Sequence, residues 1–183
     1  MDHDLFVWVV EHRAGWLDPI FVGLTVVGYF GAVWLVLAGA ISLATRRSPA
    51  FPLLLTAASV WTADLLALVL KGVFDRPRPV AAIPAADPLV GVSGHSFPSG
   101  HAATAFAGAV ALSFLWRRAA PLFFLLAAAI ACSRVYVGVH YPADVLVGAV
   151  LGAAVGIAWV AALTSPRLSG ATPRRSGAGP PAG

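Results

Sequence analysis

Charge is what this chain of 183 residues has least of. Only 11% of its residues are Asp, Glu, Lys or Arg, against roughly 25% in ordinary soluble domains. So few charges cannot clothe a soluble globular surface. The 59% apolar content also excludes a disordered polymer, which is poor in apolar residues. Cysteine is nearly missing. Cys132 stands alone, so neither an intramolecular disulfide nor a Cys-based metal site can form, and its apolar surroundings predict a buried, inert thiol. Lysine is equally scarce: Lys71 is the one lysine beside eleven arginines. No basic run is long enough to follow a nucleic-acid backbone, so the net charge of +4 does not point to nucleic acid. The N-terminal run 5–10 is too short for a signal peptide and lacks a basic flank. Entry into a membrane through spanning helices is the expectation.

What the chain does have is long apolar runs. A spanning helix needs about 20 such residues, and five stretches qualify: 19–45, 51–74, 100–116 (at the lower limit), 119–137 and 141–164. The expected fold is all-α: a polytopic membrane helix bundle of five transmembrane helices. Residues 1–18 are expected to add an interfacial helix, with Leu5, Trp8, Val9 and Trp16 on one face and Glu11, His12 and Arg13 on another. Gly148, Gly152 and Gly156 recur at four-residue spacing, which can let helix backbones approach closely. Residues 1–164 form one membrane domain, and a Pro-, Gly-, Ser- and Arg-rich tail, 165–183, is expected to be disordered.

Arginine placement sets an orientation. Arg46 and Arg47, Arg117 and Arg118, and Arg167, Arg174 and Arg175 all fall on one side of a five-span topology. By the positive-inside rule that side is cytoplasmic. The N-terminus, the Pro-rich loop 75–98 and the turn near His140 then face outward.

Without those arginines and Arg13, the remaining cations are Lys71, Arg76, Arg78 and Arg134. All four lie at predicted outer ends, as do His95, His101 and His140. Ionisable groups near a bilayer are costly and mark functional sites. Four cations and three imidazoles at one mouth suggest an anion site, most plausibly for phosphate. Lysine supplies a point charge and arginine a two-pronged fork. In the run Ser96-Phe97-Pro98-Ser99-Gly100-His101, Ser99 can donate its hydroxyl or cap the next helix. Gly100 permits close backbone approach at a helix N-terminus. In the run from Ser133 to Asp144, Asp144 follows His140 by four residues. It can therefore orient one ring nitrogen and leave the other free to attack.

These three stretches, in this order and spacing, resemble the type 2 phosphatidic acid phosphatase superfamily. Its signature is Lys-x6-Arg-Pro, then Pro-Ser-Gly-His, then Ser-Arg-x5-His-x3-Asp. The sequence matches it throughout: Lys71, Arg78 and Pro79; Pro98, Ser99, Gly100 and His101; Ser133, Arg134, His140 and Asp144. The resemblance implies an integral membrane lipid phosphatase of the bacterial undecaprenyl-diphosphatase type, with substrates such as undecaprenyl diphosphate, phosphatidic acid or phosphatidylglycerol phosphate. It implies His140 as the nucleophile of a phosphohistidine intermediate, Asp144 as its orienting partner and His101 as the acid. Lys71, Arg78, Ser99, Gly100 and Arg134 would bind the phosphoryl oxygens. No Asp/Glu cluster suits a divalent cation, since the outer loop holds only Asp75 and Asp87, so no metal and no cofactor are expected.

Other residues receive blander expectations. His95 reads as an exposed loop histidine and Asp64 as a structural hydrogen-bonding group between spans. Arg76 reads equally as a further phosphate contact or a neighbour of lipid headgroups. Tyr136 and Tyr141 read as interfacial aromatics. Two rivals remain: a non-enzymatic lipid-binding or transport protein, and a vanadate-dependent peroxidase using a similar anion site.

Overall fold

A computed structural model describes residues 1–83 and 86–165. Nearly the whole 165–183 tail, and two residues of the 75–98 loop, lie outside the described part. All regular structure among the described residues is helical. Eight α-helices follow one another: α1 (Asp2–Glu11), α2 (Asp18–Val27), α3 (Ala32–Ala44), α4 (Ala50–Phe74), α5 (Pro79–Ala82), α6 (Gly100–Leu115), α7 (Ala120–Tyr136) and α8 (Pro142–Thr164).

The five-span expectation is met only in part. Three helical segments are long and apolar enough to cross a membrane, and a fourth span exists if the bent pair α2 and α3 is counted as one. The expected span 19–45 is interrupted. The chain bends by 50° where Phe30 and Gly31 take φ of 50° and 67°. Packing explains the break: a Cβ on Gly28 would stand 2.5 Å from Ile130, and one on Gly31 would overlap Val60. The α6 segment has 16 residues. At 1.5 Å per residue it covers about 24 Å, short of the ~30 Å hydrocarbon core.

That short helix is the centre of the bundle. Its Ala- and Gly-rich sequence lets α4, α7 and α8 pack close on every side. The glycine spacing has a direct counterpart: Gly148, Gly152 and Gly156 of α8 sit against backbone carbonyls of Ser99, Ala103 and Ala107 on α6. A Cβ at Gly148 or Gly152 would overlap those carbonyl oxygens, and one at Gly156 would stand 3.0 Å away. Two four-residue rows therefore interlock. On the other flank of α6, fully buried Trp34 lies over Gly108 and anchors a core with Val60, Leu112, Phe123 and Ile130.

The two ends of the bundle differ. At one end Arg47, Arg117 and Arg118 line a common groove with Ile41 and Trp116. At the other end the 75–98 loop folds over the α7–α8 turn, tied to it by the Leu89 N–H to the Val137 carbonyl at 3.0 Å and closed on itself by the Ser96 N–H to the Arg76 carbonyl at 2.8 Å. The α1 helix lies against this end. Its Phe6 is buried with Ile83, Ala86 and Tyr141, while Leu5 and Trp8 point outward. Arg13 donates to the Asp87 carbonyl and so holds the loop.

Three expectations are corrected. Tyr136 and Tyr141 are buried: the Tyr136 hydroxyl donates to Asp18 at 2.8 Å and Tyr141 packs on Phe6. Cys132 is exposed on the outer face of α7, because the inner face of that helix is taken by Ile130, Ala131, Ser133 and Arg134.

Candidate active site

The loop end of the bundle holds a cavity of about 410 Å³ whose lining includes Lys71, Arg78, Gly100, His101, Arg134 and His140. Six of the eight residues to which the resemblance assigns site roles thus meet around one space, delivered by α4, the segment after it, α6, α7 and the α7–α8 turn. The other two, Ser99 and Asp144, are fully buried behind it.

His140 is held by the turn. Gly138 takes φ of 81°, and the Val139 and His140 N–H groups both donate to the Arg134 carbonyl at 3.2 Å. The His140 ring is then pinned from two sides. Its Nδ1 lies 3.5 Å from Asp144 Oδ2 and 3.4 Å from Ser96 Oγ. Its Nε2 lies 3.3 Å from Arg78 Nη1. A guanidinium can only donate, so Nε2 must present its lone pair and Nδ1 must carry the proton. That tautomer aims an unprotonated nitrogen into the cavity. The ring is 2% exposed, and burial pushes its pKa well below the ordinary histidine value. The Asp144 contact opposes this, while Arg78, Lys71 and Arg134 push it further down. The neutral ring is the outcome.

Asp144 is saturated. Its Oδ2 accepts from Ser96 Oγ and from the Tyr141 N–H at 3.0 Å, and its Oδ1 accepts from Arg76 at 2.5 Å. Arg76 also reaches Asp2 at 2.7 Å and lies 4.1 Å from the Tyr141 ring centroid. Asp2 in turn accepts the Ala143 N–H at 2.9 Å, capping α8. The sequence alone did not reveal this layer. In the structure Arg76 links α1 to Asp144. Ser96 sits three residues before Ser99 in the same run, and only the fold shows that it faces Asp144.

The cations are deployed differently from one another. Lys71 Nζ donates to the carbonyls of Pro98 at 2.8 Å, His95 at 3.0 Å and Ser96 at 3.4 Å, so it fixes the loop while lining the cavity. Arg78 Nε is held by the Ser93 and Gly94 carbonyls and Nη1 by the Val139 carbonyl. Arg134 is 5% exposed, and its Nε has no partner among the described residues. His101 Nε2 likewise has none. Ser99 caps α6, accepting the Ala102 N–H at 3.5 Å. Its own N–H donates to the Asp144 carbonyl at 2.9 Å, locking the start of α6 to the first turn of α8. His95 stays at the surface, 2.6 Å from Asp75.

Fold and site together define a membrane helix bundle with a cationic, histidine-bearing pocket at one end, the class of the membrane phosphatases. The chain belongs to the PAP2 superfamily, which it matches over residues 51–166. It is 39% identical over 141 residues to the decaprenylphosphoryl-5-phosphoribose phosphatase of Mycobacterium tuberculosis, covering 73% of each chain. Its fold superposes on the crystal structure of Aquifex aeolicus LpxE with a TM-score of 0.75 at 30% identity, over 86% of this chain and 93% of that one. A transmembrane PAP2-type phosphatidylglycerolphosphate phosphatase from Bacillus subtilis gives a TM-score of 0.74 at 30% identity, over 87% and 82%.

Proposed function

We propose that this chain hydrolyses a lipid phosphomonoester or diphosphate at the outer membrane face through a phosphohistidine intermediate. The observation that carries the reading is the His140 ring, with Nδ1 toward Asp144 and the Nε2 lone pair toward the cavity. The phosphoryl group sits among Arg78, Arg134 and the first turn of α6. His140 Nε2 attacks phosphorus, the P–O bond to the lipid breaks, and the leaving oxygen takes a proton from His101. Asp144 stabilises the charge that develops on the His140 ring. Water then attacks phosphorus and the P–N bond breaks, the water giving up a proton to His101 and His140 returning to its starting state. Fixed cations stabilise the equatorial oxygens throughout, the main requirement of phosphoryl transfer. Lys71 adds charge and holds the loop that carries Ser99 and Gly100.

This chemistry is supplied by side chains without a metal. Among the described residues no three His, Cys, Asp or Glu side chains group as a metal site. The orientation follows from the arginines: Arg47, Arg117 and Arg118 share the end opposite the site, and that end is cytoplasmic by the positive-inside rule.

The test uses purified protein in detergent with a panel of lipid phosphates, with and without EDTA. Wild type releases phosphate equally in both conditions. Acid-quenched protein from a labelled substrate carries phosphate on nitrogen, and His140→Ala shows neither turnover nor label. Equal activity in wild type and His140→Ala would refute the mechanism.

A further inference from the structure

Asp64 is the one acidic residue lining the cavity, and it has no hydrogen-bond partner among the described residues. The structural bond between spans expected of it is not made. It lies on α4, seven residues before Lys71, about 10 Å deeper along the helix axis. Its Oδ1 stands 3.3 Å from where a Cβ on Gly100 would project, so the carboxylate lies beside the first turn of α6, and it lines the same cavity as His101. A carboxylate at this depth in a membrane protein is costly, and in an anion site it opposes the phosphate that the cations attract.

In-line transfer explains the position. The leaving oxygen departs on the side away from His140 Nε2, toward His101. The same cavity is also lined by Asp64, Tyr29 and Phe30, and the Tyr29 ring centroid lies 6.0 Å from that of His101. Phe30 and Tyr29 are 61% and 58% exposed at the break between α2 and α3, where the cavity meets the lipid-facing surface. The part of the substrate next to the scissile phosphate therefore passes Asp64 before its lipid chain leaves past Phe30.

We propose that Asp64 is a specificity-determining residue. It accepts a hydrogen bond from a hydroxyl on the leaving group and repels a second phosphate at that position. The preferred substrate class is then a phosphomonoester on a hydroxylated polyol or sugar headgroup, rather than a lipid diphosphate. This rests on the phosphatase reading above and narrows it.

The experiment measures kcat/KM of full-length wild type, Asp64→Asn and Asp64→Ala in detergent on three lipids. Phosphatidylglycerol phosphate carries a hydroxyl beside the scissile phosphate, phosphatidic acid carries none, and farnesyl diphosphate carries a second phosphate there. A hydrogen bond to a charged group predicts that the first-to-second ratio falls about 10- to 100-fold in Asp64→Ala. The third-to-second ratio rises in Asp64→Asn, which keeps the side-chain volume but not the charge. A gain on the diphosphate cannot come from misfolding, so the isosteric variant decides the matter even if the alanine variant is unstable. If wild type hydrolyses these lipids and neither ratio moves in Asp64→Asn or Asp64→Ala, this inference fails alone. If wild type releases no phosphate from any of them, the phosphatase reading falls with it.

Discussion

Replacing Arg76 by Gln tests the layer behind the nucleophile. Arg76 is not among the residues lining the site cavity, yet it bonds Asp144 Oδ1 while Asp144 Oδ2 faces His140. The two contacts in series put the guanidinium within roughly 8 Å of the imidazole. At an effective dielectric of about 20, a unit charge at that distance is worth about 2 kcal/mol. Arg76 is 32% exposed, and solvent screening roughly halves the figure, to about 1 kcal/mol, or about 0.7 of a pH unit. The sign follows from the proton. Arg76 disfavours imidazolium directly and takes up part of the Asp144 charge that favours it. Removing it raises the His140 pKa from its depressed value, so neutral nucleophile is lost at a higher pH. The acid limb of kcat/KM in Arg76→Gln should therefore move up by a little under one unit, read from phosphate release followed down through the His140 pKa of about 3. Stability should fall by about 2 kcal/mol, because buried Asp144 loses one partner but keeps Ser96 and the Tyr141 N–H. An acid limb that stays in place, or moves down, would refute this account of Arg76.

His101→Ala should lower kcat by about 10²- to 10⁴-fold. The loss should shrink for an activated ester such as p-nitrophenyl phosphate, whose leaving group needs no proton; equal losses on both substrates would remove the acid role. Gly152→Val should drive a side chain into the Ala103 backbone. It should cost about 3 kcal/mol or more, lowering the melting temperature in detergent by on the order of 10 °C. Gly39→Ala, where a Cβ meets nothing within 4 Å, serves as the control and should leave the melting temperature level or slightly raised.

Much of this was legible in sequence because local rules govern it. The long apolar runs announced helices wherever about 20 residues could shelter their own backbone polar groups. Motif spacing brought Lys71, Arg78, Gly100, His101, Arg134 and His140 to one candidate site, and the structure gathers them around one cavity. The four-residue glycine row is compatible with a close helix contact or with a merely small-residue composition, and the structure shows the contact, with α6. The break at Phe30 and Gly31 was not legible, since an apolar run looks the same whether or not Ile130 and Val60 press on it from other helices.

The sequence by itself determined that the chain is a helical membrane protein, and which side chains could carry phosphate chemistry, because scarce charges in an apolar chain must be placed for a reason. Only the tertiary structure decided how those groups divide their work. Arg76 and Ser96 hold Asp144, Asp2 holds Arg76 and the Ala143 N–H, Lys71 braces a loop, and Asp64 faces the cavity. These relations join residues up to 141 positions apart. Such contacts depend on how α1, α4, α6 and α8 pack against one another, which no local pattern of residues encodes.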